Sequence, residues 1–323
     1  MLGKIRKLIM KPVYVINGFL DSGKTDFFSY TIAQPYFRTN GTTLLIVCEE
    51  GESEYDEELL ESANTRLEFI EDEEAFTPAT LMSLDAMHNP ERILIEYNGM
   101  WDFRNFRLPK KWKLEQQITV IDASHFELYF NNMKSLLAEQ IRNSDLILFN
   151  RCDSMMENLP VYKRNVRAIN QRADIIFEDS KGEVDVTLDE DLPFDLNQDI
   201  IELGNFGYGM FFLDAMEHAD RYDGKTVRFT AMVAKPEELG KKAFVPGRMA
   251  MTCCAQDMQF LGFKCEYEGA DSLKERSWVE VTARVKKEFV EAYGAEGPVL
   301  VAVEVKETSE PKTPVIDFSN PAE

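Results

Sequence analysis

Val13-Tyr14-Val15-Ile16-Asn17-Gly18-Phe19-Leu20-Asp21-Ser22-Gly23-Lys24-Thr25 decides the fold. Its first four residues are apolar and β-branched or aromatic, the composition of a buried strand. Gly18 to Thr25 then reads G-x-x-x-x-G-K-[ST], the phosphate-binding P-loop. Thr25 to Ala33 follows with Phe27, Phe28 and Ile32 at helical spacing. Strand, glycine loop and helix in that order are the context the motif requires. Glycines let backbone N–H groups turn inward around a phosphate, and the helix N-terminus adds the positive end of its dipole. Gly18, Asp21, Ser22, Gly23, Lys24, Thr25 and Asp26 are therefore the expected nucleotide-binding residues. Lys24 is expected to reach the β- and γ-phosphates, and the Thr25 hydroxyl to ligate Mg²⁺.

Working outward, four more apolar segments alternate with helical ones. Thr42 to Cys48, Arg92 to Glu96, Gln117 to Asp122 and Asp145 to Phe149 read as buried strands, with a shorter one at Asp174 to Phe177. That alternation predicts an α/β fold with a doubly wound, mostly parallel sheet, whose ligands gather at the strands' C-terminal ends. Glu96 ends such a strand beside the P-loop. It is the candidate catalytic carboxylate with Lys24, holding Mg²⁺ through water or orienting the attacking water. Asn150-Arg151-Cys152-Asp153 ends another strand and fits the guanine motif N-[KR]-x-D. A carboxylate at Asp153 accepts from guanine N1–H and the 2-amino group, which adenine cannot offer. Asn150 and Arg151 complete the expected base-binding loop. The expected ligands are GTP and Mg²⁺.

From Glu49 to Glu74 there are thirteen acidic residues and one basic one, Arg66. Such a block is ordinarily a solvated face. Its sharper reading is a transition-metal site, such as one for Zn²⁺, at Cys48, Glu49 and Glu50. Trp101 to Lys113 carries Arg104, Arg107, Lys110, Lys111 and Lys113, whose plain reading is a solvated basic loop and whose sharper one is a switch that docks on that acid.

The chain has 323 residues, 36 basic and 57 acidic, for a net charge of −21. That surface argues against nucleic acid and anionic membranes as partners. No apolar run approaches the ~20 residues of a membrane span. Met1 to Lys11 lacks the apolar core of a signal peptide, so the expected location is the cytoplasm. Five scattered cysteines do not form a secreted disulfide framework.

The second half changes character. Glu183 to Asp199 has seven acidic and no basic residues, with Pro193 inside, and reads as a linker. Asn205 to Tyr222 reads as a helix. Short strands follow at Thr226 to Val233, Arg248 to Thr252, Lys264 to Tyr267, Trp278 to Val285 and Val299 to Val305, with a helix expected around Lys286 to Tyr293. Five short strands predict a small all-β barrel of OB type. The expected divisions are a nucleotide-binding domain at 1–182, an acidic linker at 183–204 and the barrel at 205–323. Cys253 and Cys254 could hold a soft metal ion with Cys265. Adjacent strand residues face opposite ways, so buried structural cysteine is the plainer reading.

The first half resembles the CobW-like GTPases, relatives of HypB and UreG. Ile16-Asn17-Gly18-Phe19-Leu20 with Ser22-Gly23-Lys24-Thr25 is similar to their N-G-F-L-G-[AS]-G-K-T, Glu49-Glu50-Gly51-Glu52 to N-E-F-G-E, and Glu96-Tyr97-Asn98-Gly99 to E-T-[ST]-G. The resemblance implies slow GTP hydrolysis in a metal-handling or metallochaperone switch. Their C-x-C-C metal motif has no counterpart, since no cysteine lies between Cys48 and Cys152. Asp26 stands at their second threonine, and Arg151 at their lysine. The second half resembles the soluble domain of YcgQ-like proteins through Tyr222-Asp223-Gly224-Lys225-Thr226-Val227, Met251 to Asp257, Trp278 to Thr282 and Glu310 to Pro314. Guanine nucleotide is thus the expected ligand. A metal-dependent client, a permease-type protein or a second copy of the chain are the candidate partners. The alternative is a nucleotide-gated scaffold with little hydrolysis that acts through its β-domain.

Overall fold

A computed structural model describes residues 10–186, 192–251, 258–291 and 295–318. The chain divides into two compact units. One takes residues up to Leu159 with Arg172–Val186, and the other takes Pro160–Gln171 with the chain from Thr187 onward.

In the first unit the elements run β1 (Lys11–Asn17), α1 (Lys24–Ala33), β2 (Thr43–Val47), α2 (Glu57–Ser62), β3 (Thr65–Phe69), α3 (Pro78–His88), β4 (Arg92–Glu96), β5 (Trp112–Asp122), α4 (Phe126–Asn132), α5 (Lys134–Arg142) and β6 (Leu146–Asn150). The helix α6 (Leu159–Ile169) belongs to the second unit, and the chain then returns with β7 (Asp174–Asp179) and β8 (Gly182–Val184). The sheet order is β3-β2-β4-β1-β5-β6-β7-β8. All neighbours are parallel except the β7–β8 hairpin. This is the expected doubly wound sheet. Its central strands are buried on both faces, which is why β2 and β4 read as unbroken apolar runs. Alternate residues serve different cores. Val13, Val15, Ile46 and Ile95 pack on one face with Trp101 and Trp112, while Ile16, Leu45, Val47 and Leu94 pack on the other against Phe28 and Ile32 of α1. The chain lays β2 to β4 on one side of β1 and β5 to β8 on the other. Strand order therefore changes direction at β1, where a crevice opens at the strands' C-terminal ends.

Two local features differ from the sequence reading. The acidic block contains α2, whose N-cap Asp56 accepts from Leu59 N at 2.9 Å and whose Leu60 is buried. The expected linker begins with β8, which pairs Glu183 with Glu178.

The second unit contains β9 (Ile201–Leu203), α7 (Asn205–Glu217), β10 (Thr226–Ala234), β11 (Ala243–Met251), β12 (Met258–Gly262), β13 (Cys265–Glu266), β14 (Trp278–Val290), β15 (Ala295–Thr308) and β16 (Val315–Asp317). The pairings β10–β11, β11–β13, β13–β15, β15–β14 and β14–β10 close a ring of five strands. Only the β13–β15 pair in this ring is parallel. The expected small barrel is thus present, enlarged by β9, β12 and β16. Helix α7 buries Tyr208, Met210, Phe211, Phe212 and Leu213, of which Tyr208, Phe211, Phe212 and Leu213 share a core with Val227, Phe229, Val281 and Leu300. The helix expected at Lys286 to Tyr293 is a correction. Lys286 to Val290 continue β14, pairing Lys287 with Pro298 and Phe289 with Glu296 of β15, and residues 292–294 lie outside the described residues. Long-range pairing overrides the helical propensity of Lys-Lys-Glu.

Within this unit Glu217 meets Arg167 at 2.6 Å and Lys163 at 3.1 Å. Burial works to raise its carboxyl, yet Arg167 and Lys163 together hold it below the ordinary value of 4.5. A depressed carboxylate contributes stability above its unfolded pKa and loses it as pH falls through the folded one. Urea unfolding at a series of pH values should therefore show wild type losing stability below about pH 4.5, and E217Q losing less over the same window.

Candidate nucleotide site

The site grows from the turn between β1 and α1. Gly23 caps α1 at φ +98°, a conformation side chains rarely adopt, and no side chain caps that end. The first N–H groups of α1 are thereby left to a ligand. A Cβ on Gly23 would stand 2.6 Å from Nδ2 of Asn150. That nitrogen donates to the Ser22 carbonyl at 2.7 Å. Arg151, in the left-handed region at φ 54°, donates to the Asp21 carbonyl at 2.9 Å and to Asp122 at 2.6 Å. The loop after β6 is thus tied at two points to the P-loop, which fixes the spacing between the two loops. Burial works against Asp122, but Ser124 and Arg151 hold its carboxyl below the usual range.

Lys24 is buried. Its Nζ donates to the carbonyls of Gly18 at 3.0 Å and Phe19 at 2.9 Å, and it pairs with the Glu49 carboxylate. Thr25 Oγ1 donates to Glu96, at 3.0 and 3.2 Å from its two oxygens, and Tyr55 Oη donates to Glu96 at 2.5 Å. Burial pushes the Glu96 carboxyl up, against the downward pull of Tyr55, Lys24 and Thr25. Gly99 explains the E-x-x-G spacing. A Cβ there would stand 2.1 Å from the Gly18 carbonyl oxygen, so only glycine lets the loop after β4 lie against the P-loop. Gln140 Nε2 holds the Gly99 carbonyl at 2.7 Å.

One cleft is lined by Asp21, Gly23, Lys24, Thr25, Asp26, Glu49, Glu96 and Arg151. Asp26 is exposed in the first turn of α1. Asp153 is exposed after β6 and accepts from Ser180 N at 3.2 Å and from Ser180 Oγ, which hold its carboxyl below the usual range. The residues present fit a nucleotide and Mg²⁺. Ser22 Oγ and Asn150 Oδ1 are buried with no protein partner, and the Thr25 and Glu96 oxygens are the hard donors Mg²⁺ selects.

Cys48, Glu49 and Glu50 do not converge. The Cys48 thiol is buried in the apolar core on one face of the sheet, and burial raises its pKa. Glu49 turns to Lys24, and Glu50 is exposed. Cys253 and Cys254 lie outside the described residues. Cys265 is buried, its thiol pushed up to about 12. Among the described residues no group of three or more His, Cys, Asp or Glu could hold a metal ion. The basic loop is largely self-paired. Arg104 meets Asp102 and Lys113 meets Glu115, with Asn105 on Glu73 at 3.3 Å as a link to the acidic block. Sequence reasoning missed Tyr55, Asp122, Gln140 and Ser180.

Residues 12–177, just over half of the chain, match the CobW/HypB/UreG nucleotide-binding domain. The chain belongs to the CobW/HypB/UreG family. The uncapped α1, the buried Lys24 and the Thr25–Glu96 pair all lie within the stretch that matches this nucleotide-binding domain. Residues 181–316 match the DUF1980 C-terminal domain. The crystal structure of hydrogenase maturation factor HypB from Archaeoglobus fulgidus is similar over 55% of this chain and 84% of that one, at 19% identity and a TM-score of 0.39. No curated protein is significantly similar to the chain. Among the described residues no helix is long and apolar enough to cross a membrane.

Proposed function

We propose that this CobW-type protein binds GTP with Mg²⁺ and hydrolyses it to GDP and phosphate, as a switch in metal handling. The observation that carries the reading is the convergence of Lys24, Thr25 and Glu96 at the uncapped N-terminus of α1, tied through Asn150 to the N-R-C-D loop. Lys24 would leave the Gly18 and Phe19 carbonyls for the β- and γ-phosphates and offset their charge. Thr25 gives its hydroxyl proton to Glu96 and keeps its lone pairs for the cation. Mg²⁺, when bound, would supply further charge neutralisation at the phosphates. Glu96 would orient the water shell of the ion or the attacking water. Asp153, aimed by Ser180, would accept the two guanine N–H groups, and Arg151 would cover the base. Positioning supplies most of such catalysis, so turnover without a partner should be slow. The metal-handling role rests on family membership. The candidate donors Cys48, Glu49 and Glu50 supply no common site, so the cargo reading leans on a client protein or on the second unit. A cytoplasmic location fits this role.

The alternative, a nucleotide-gated scaffold with little hydrolysis, draws on the Lys24–Glu49 pair, because a protein carboxylate already engages the lysine. Single-turnover phosphate release separates the two. Slow Mg²⁺-dependent release from GTP supports the switch, and tight GTP binding without release supports the scaffold.

A further inference from the structure

We propose that Tyr55 is a positioning residue for Glu96, fixing the carboxylate through which this site responds to Mg²⁺. The inference rests on the GTPase reading above. Tyr55 is neither in the P-loop nor in the E-x-x-G segment. It lies on the loop between β2 and α2, which is pinned on both sides of it. Glu52 N–H donates to Asp21 of the P-loop at 2.9 Å, and Asp56 caps α2. The half-buried Tyr55 ring packs on the core formed by Phe28, Val47 and Leu60. Its hydroxyl is thereby delivered to Glu96 Oε2 at 2.5 Å.

Glu96 is 3% exposed, so little water is free to orient it. Two hydroxyls do so instead, Thr25 Oγ1 and Tyr55 Oη. Thr25 belongs to the ion-binding turn and has a second task toward the cation. Tyr55 has none, and its bond to Glu96 is free to act as a fixed strut. Lys24 and Glu49 lie beside the same carboxylate, and Asp26 faces Tyr55. Without the strut, Glu96 would be aimed by Thr25 alone amid two other acids. Partners that orient a ligating group typically change metal affinity or activity by about 10–100-fold when removed.

The test compares wild type, Tyr55→Phe and Tyr55→Leu by calorimetry of GTP binding across a Mg²⁺ series, with phosphate release measured in parallel. In Y55F the Mg²⁺ concentration that half-maximally strengthens GTP binding should rise about tenfold, with KM for GTP at saturating Mg²⁺ within about twofold of wild type. Y55L, which also loses the ring, should melt lower but show the same Mg²⁺ shift. A wild-type Mg²⁺ response in Y55F, or a shift in Y55L alone, overturns the positioning role and leaves Tyr55 a packing residue. If wild type binds GTP but releases no phosphate, the hydrolysis reading falls while the calorimetric comparison still decides the role of Tyr55.

Discussion

Lys24→Ala should lower GTP hydrolysis by at least about 10²-fold, the usual cost of losing one donor aimed at developing charge, and should weaken GTP binding with it. The same change should destabilise the fold. Lys24 and Glu49 are 2% and 8% exposed, and removing one partner of a buried pair costs about 3–5 kcal/mol because the other charge is left uncompensated. Loss of activity could then reflect unfolding alone. The double variant K24A/E49Q separates the two effects. It removes the stranded carboxylate, so its thermal stability should return most of the way to wild type while hydrolysis stays at the K24A level. Full hydrolysis in either variant would remove Lys24 from the site. Failure of E49Q to restore stability would mean that the Lys24–Glu49 contact carries little of the fold.

Asp153→Asn should exchange nucleotide preference. On the proposed reading the carboxylate would accept from both guanine N1–H and the 2-amino group, whereas an asparagine amide offers one acceptor and one donor. That pair suits xanthine, whose N1–H remains and whose C2 bears a carbonyl. Binding of GTP should fall on the order of 10³-fold, short of the 10⁴–10⁵ reached where a polar site is fully buried, because Asp153 is exposed. Binding of xanthosine triphosphate should improve in the same variant. Competition of each nucleotide against a fluorescent GDP analogue measures both. Equal loss for both nucleotides would point to a collapsed loop instead of a recognition change.

The parts of this site that lie within one turn or at one strand end were legible in the sequence. The P-loop, Glu96 and Gly99, and Asn150 to Asp153 are each local patterns whose placement needs only an adjacent strand. What was illegible depends on which strands become neighbours. Asp122 meets Arg151 because β5 pairs with β6, and Ser180 meets Asp153 because β7 follows beside β6. Tyr55 sits in a stretch whose dense acids read as solvated surface, and nothing in its spacing points to Glu96. Cys48 and Glu49 were legible in principle. Neighbours at a strand end face opposite ways, and the structure sends one into the core and the other to Lys24. In the second unit the charged run Lys286 to Glu288 resembles a helix until β15 is seen to pair with it along its length.

The most direct test of the central claim is calorimetric titration of the purified chain with GTP and with ATP, each with Mg²⁺. The N-R-C-D loop tied to the P-loop predicts that GTP binds and that ATP binds at least about 10²-fold more weakly. ATP binding as tightly as GTP would contradict the guanine assignment and the GTPase reading built on it.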